Sequence, residues 1–106
     1  MVTQNQIEAR NFTLLQTLPI DVNNPDSIRN DYLAIGTNIF DLITLIRLRI
    51  YDDGRANITD YYNNAFISTQ HYFMGTIESE ADLDLAIESI DYTLTVLDLD
   101  DLNDYA

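Results

Sequence analysis

The strongest periodic signal in the chain runs from Asn24 to Tyr51. Ile28, Tyr32, Ile35, Ile39, Leu42 and Ile46 follow one another at steps of 4, 3, 4, 3 and 4, the spacing that lines one face of a helix. Asn24 offers an N-cap, Pro25 suits the first helical position, and Asp26 favours the positive end of the helix dipole. Asp52-Asp53-Gly54 closes the segment, with Gly54 free to take a left-handed C-terminal conformation. The expectation is a helix of about 27 residues, roughly 40 Å long. Gly36, in its middle, either lets a neighbour approach or marks a bend.

A hairpin competes for the second half of this stretch. Ile46-Arg47-Leu48-Arg49-Ile50 alternates with a period of two, and Asp53-Gly54 is a good hairpin turn before a returning strand from Arg55 to Tyr61. Asn57 and Thr59 would then share a face with Leu48 and Ile50, a poor match for a buried surface. The helix is therefore preferred.

Three further segments read as helical. The first spans about Thr3 to Leu18, with Ile7, Leu14, Leu15 and Leu18 near helical spacing and Phe12 off to one side; Pro19 ends it. A third starts after Thr59 and stops at Gly75, with Tyr62, Ala65, Phe66, Thr69 and Phe73 as its buried stripe. The fourth begins at Ser79, where Asp82 gives a weaker form of the capping box, and repeats Leu83, Ile87, Ile90, Leu94 and Leu97. Tyr92 to Val96 has strand character, so this helix is apt to break there. Short connections make the fold an all-α bundle of about four helices in one domain over residues 1–106. The alternative is α+β, with a hairpin around Ile46–Tyr61.

Charge is the loudest compositional feature. The 106 residues hold eighteen acids, five arginines and no lysine, a net charge of −13. Residues 1–55 carry seven acids and all five arginines; residues 56–106 carry eleven acids and no basic residue except His71. Such a half repels nucleic acid and anionic membranes and attracts basic surfaces. Solubility and adaptation to high salt are the competing explanations, yet neither requires the acids to be concentrated in one half.

A helical wheel of the fourth segment arranges these acids. With Leu83 at zero, Glu80, Asp84, Glu88, Asp91 and Asp98 fall between about 60° and 140°. Leu85, Tyr92, Val96 and Leu99 cluster at about 160° to 220°, a second apolar stripe beyond the acidic ridge. The ridge is a candidate contact for a basic protein surface, and the stripe a candidate contact for a partner or a second copy. Carboxylates one turn apart, at about 6 Å, approach the charge density of a nucleic-acid backbone.

Chemistry is thinly represented. The chain has no cysteine and one histidine, His71, and no nucleophile motif or phosphate-cradling glycine loop accompanies it. Asp98 to Asp104 shares the acidic spacing of a calcium loop but lacks its central glycine and closing glutamate. Arg47 and Arg49, the one close basic pair, are better placed to meet acids than phosphate. The tyrosines lie among acids, which argues against a nucleic-acid stacking platform. Neither a signal peptide nor a membrane span is expected, which points to the cytoplasm or a virion. No catalysis, cofactor or metal is expected. The leading expectation is a structural or assembly protein, such as a small viral or other complex subunit, in contact with its own copies or a basic protein. The alternative is an acidic nucleic-acid mimic of the phage anti-defence type, which blocks a basic DNA- or RNA-binding partner without touching nucleic acid itself.

Overall fold

The computed structural model describes residues 1–18, 29–60, 71–98 and 100. A short helix, α1 (Gln4–Glu8), precedes the strands β1 (Thr13–Leu18), β2 (Arg29–Thr37), β3 (Ile43–Tyr51), β4 (Arg55–Asp60) and β5 (His71–Thr76), followed by α2 (Glu80–Glu88) and β6 (Thr93–Thr95). The strands β1 to β5 lie side by side in chain order, antiparallel throughout, and β6 adds to β2. Because β1 pairs with Arg29–Leu33 and β6 with Ile35–Thr37, both occupy the same side of β2, one after the other. The all-α bundle is thus overturned: the architecture is a sheet with two short helices.

The 3–4 spacing misled because strand residues produced it. On β2, Tyr32 and Ala34 point to one face and Leu33 and Ile35 to the other. Tyr32, Leu33 and Ala34 are buried and Ile35 is partly buried against Leu33, Leu45 and Leu97. A strand covered on both faces reads as a continuous apolar run, which mimics helical periodicity. β3 is rich in β-branched residues, whose stiff side chains suit a pleated surface. Asn24, Pro25, Asp26 and Ile28, the start of the expected helix, lie outside the described residues.

The Ile46–Tyr61 alternative has the right element pair, with a different register. Leu48 stands opposite Ile58 and Ile50 opposite Ala56, so Asn57 and Thr59 fall on the other face beside Arg49 and Arg47. The turn has three residues, Asp52-Asp53-Gly54, where the sequence reading placed two. That one-residue change moves every returning side chain across the sheet. Gly54, at φ +88°, supplies the left-handed position at the end of such a loop.

The other expected helices also give way to strand among the described residues. Thr3 and Gln6 form a reciprocal capping box that starts α1, but Asn11 at φ +73° turns the chain, and Thr13 onward is strand. Of the third segment's stripe, Phe73 lies on β5; Tyr62, Ala65, Phe66 and Thr69 are outside the described residues. The fourth starts as read, with the Ser79 hydroxyl accepting from the Asp82 amide, and stops at Glu88. Asp91 at φ +60° then redirects the backbone into β6.

Both helices pack on one face of the sheet. Ile7 from α1 and Leu83 and Ala86 from α2 join Tyr32, Ala34, Ile46, Leu48, Ile50 and Ile58 in the main core. On the opposite face Leu33 and Leu45 are covered by Leu97, which arrives after β6 and is held where its carbonyl accepts from Thr13 Oγ1 at 3.1 Å. That face also carries a polar row across three strands. Asp31, 1% exposed, receives Arg49 Nε at 2.7 Å and Nη2 at 3.1 Å, and Gln16 Nε2 at 3.1 Å.

Candidate protein-docking site

The turn between β2 and β3 places four large apolar side chains in water: Ile39 is 84% exposed, Phe40 74%, Leu42 64% and Ile43 61%. The turn holding them is tightly bonded. Asn38 Oδ1 accepts from the amides of Phe40 at 2.9 Å and Leu42 at 3.1 Å. The Asn38 amide donates to the Leu42 carbonyl, and Asp41, at φ +60°, donates to the Asn38 carbonyl, both at 3.1 Å. Asparagine and aspartate do this work because their short polar side chains bond nearby amides and tolerate left-handed backbone. The apolar tip is therefore a formed turn held out from the sheet.

Beside the tip, Tyr72 of β5 and Tyr92 just before β6 meet with ring centroids 5.3 Å apart and planes inclined at 51°. Tyr72 donates its hydroxyl proton to the Asp60 carboxylate, which is buried on the helix-covered face. A phenol has one proton to give, so in the 3.2 Å contact between the hydroxyls Tyr92 is the donor. Burial, then the bonds to Asp60 and Tyr92, raise the Tyr72 hydroxyl far above tyrosine's ordinary pKa. Ile39 and Phe40 face these rings across a cleft of about 650 Å3, whose far wall is Ser89 to Tyr92.

The residues singled out from sequence are distributed differently from the wheel. Glu80, Asp84 and Glu88 are on α2, whereas Asp91 and Asp98 lie beyond its end, so they do not continue one helical ridge. Arg10 pairs with two of the acids: its Nε meets Asp84 Oδ1 at 2.6 Å, its Nη2 meets Oδ2 at 3.2 Å, and its Nη1 meets Glu80 at 3.4 Å. The Arg10 hydrogen bond holds the Asp84 carboxyl below the usual aspartate range. All five acids are exposed, and Asp91 lines the cleft. In the apolar stripe, Leu85 on α2 and Val96 just after β6 are exposed, Tyr92 is half-buried with its hydroxyl on Tyr72, and Leu99 is outside the described residues. Sequence reading missed the tip, having counted Ile39 and Leu42 into a buried seam. The available cue was Asn38 and Asp41 bracketing Ile39-Phe40, turn formers around an apolar pair.

The basic residues are largely occupied within the chain. Arg10 and Arg49 are bound as described, and Arg55 meets Asp53 at 2.6 Å while lying 5.3 Å over the Tyr51 ring. Asp41 on the tip, Asp91 in the cleft and Glu88 next to Ser89 of its wall are exposed, so the charged groups at the tip and cleft are negative. No helix among the described residues is long and apolar enough to cross a membrane. Comparison of the chain with family models, with curated protein sequences and with solved structures found no match.

Proposed function

We propose that this chain is a non-enzymatic docking component of a larger protein assembly, which contacts its partner through the β2–β3 tip. The observation that carries the reading is the set Ile39, Phe40, Leu42 and Ile43, held in water by a bonded turn. Each such side chain gains about 1.5–3 kcal/mol when fully buried, so a receiving groove recovers a substantial sum even after association costs. A patch of this kind rimmed by acids is typical of an interaction surface. Its partner is apolar at the centre and basic at the rim, because a second copy would bring a further −13 charges to the contact.

The nucleic-acid mimic is the weaker reading. Nine residues of α2 span only about 13 Å, and Glu80 and Asp84 face Arg10.

Paired affinity capture from the source cells tests the proposal, with the wild type and Leu42→Asp as baits. Proteins retained by the wild type and lost with the variant, at unchanged circular dichroism, support it. Identical captures by the two baits overturn it.

A further inference from the structure

We infer that the cleft beside the tip is a receptor for an arginine side chain of the docked partner. This rests on the docking reading and names the chemistry that the partner brings. Phe40, Tyr72 and Tyr92 line the cleft together with Asp91. The proton chain gives the cleft its polarity. Tyr92 donates to Tyr72 and Tyr72 donates to Asp60, so both phenol protons are spent inward. The Tyr92 oxygen and the Asp91 carboxylate are left as acceptors. Aromatic faces and acceptors together select a cation that only donates, and guanidinium has five N–H donors in one plane that stacks on rings. Lysine's compact, strongly hydrated ammonium uses the flat walls less well.

Charge and size agree with this occupant. Asp91 in the cleft, Asp41 next to Phe40 and Glu88 next to Ser89 are acidic and exposed, and Arg10, Arg49 and Arg55 are already engaged elsewhere in the chain. About 650 Å3 exceeds one side chain, so it takes a short stretch of peptide with the arginine as its anchor.

The test uses the isolated protein and three capped pentapeptides, Gly-Ala-Xaa-Ala-Gly, in which Xaa is arginine, lysine or citrulline. Citrulline keeps arginine's shape and removes its charge. Amide shifts in two-dimensional NMR should saturate with the arginine peptide at Asn38–Phe40 and Ser89–Tyr92. Affinity should fall at least several-fold with lysine and be lost with citrulline. Asp91→Asn and Phe40→Ala should each weaken arginine binding about tenfold, and Asp98→Asn, outside the cleft, should leave it unchanged. Equal shifts with citrulline, an Asp98→Asn effect as large as that of Asp91→Asn, or no saturable shift would each overturn the inference. Leu42 is not part of the cleft wall, so Leu42→Asp probes docking alone. Partner loss with Leu42→Asp beside a silent arginine peptide would defeat this inference and leave the docking reading intact; the reverse pair of results would do the opposite.

Discussion

The ring of Tyr92 lies on Gly36 so closely that a Cβ there would stand 3.0 Å from Tyr92 Cδ1, and 2.6 Å from Ile46 Cγ1. Gly36 is the buried position of β2 opposite Leu94 of β6. Its missing side chain therefore lets Tyr92 reach Tyr72 and form one wall of the cleft. Gly36→Ala should destabilise the protein by about 1–3 kcal/mol, the usual range for overpacking a filled core. Denaturant unfolding measures this, and a neutral result would mean that Ile46 and Tyr92 shift aside without cost.

The polar row on the opposite face yields a second expectation. Arg49→Leu leaves the Asp31 carboxylate, 1% exposed, with only the Gln16 amide. Removing one partner of a buried pair costs about 3–5 kcal/mol. The double variant Asp31→Leu/Arg49→Leu should recover most of that loss, since it leaves no buried charge behind. A double variant as unstable as Arg49→Leu would show that packing, and not charge, decides this position.

Some of this was legible in the residues and some was not. Ser79 with Asp82 announced the start of α2 because a cap is a local device, settled within four residues. The break near Tyr92 was legible for the same reason, as the β-branched Thr93, Thr95 and Val96 disfavour helix. Gly36 allows either close approach or a bend by its sequence position in a helix, and on the strand it serves close approach. What failed was long-range. Whether Tyr32 and Leu33 face two covered sides of a sheet or one side of a helix depends on Ile7, Leu83 and Leu97, which arrive from elsewhere in the chain. The Ile46–Tyr61 hairpin turned on a single loop residue, since Asp52 joins the turn and reverses the faces of Asn57 and Ile58. The candidate site depended on the same decision: Ile39 and Leu42 are buried if the segment is a helix and exposed if it is a turn.

Alkaline pH should destabilise the fold through Tyr72 and Tyr32. Burial raises both hydroxyls, aided at Tyr72 by Asp60 and at Tyr32 by the nearby charge of Glu8. A folded pKa above the unfolded one gives stability that is complete below about pH 10 and declines as pH rises beyond it. Tyrosinate absorbance should show these two groups ionising at higher pH than a free tyrosine. Tyr72→Phe should flatten the decline; an unchanged slope would contradict the assignment.

Acid should release α1 from α2. Asp84 is held below the ordinary aspartate range by Arg10. Its contribution is therefore present above about pH 4 and lost as pH falls through the lower folded value. Asp84 is exposed and Arg10 partly so, so the effect is modest and salt-sensitive. Hydrogen-exchange protection of the α1 amides, corrected for the pH dependence of the intrinsic rate, should fall at low pH in the wild type. It should be low already at neutral pH in Arg10→Ala, and equal protection in the two proteins would sever the proposed link.

The tip supplies the prediction that separates docking from structure. Leu42 and Ile43 are 64% and 61% exposed, so Leu42→Asp/Ile43→Asp should change folding stability little, by about 0.5 kcal/mol per surface position. Had these side chains belonged to the core, the loss would be several times larger. Salt then distinguishes the two classes of partner. Like-charged copies at −13 repel, and screening relieves that repulsion, so self-association through the tip would strengthen with salt. Contact with a basic partner would weaken instead. Light scattering should find the isolated wild type monomeric at low salt, with any association at high salt abolished by the double aspartate variant. A stable dimer at low salt that survives the variant would move the interface away from the tip.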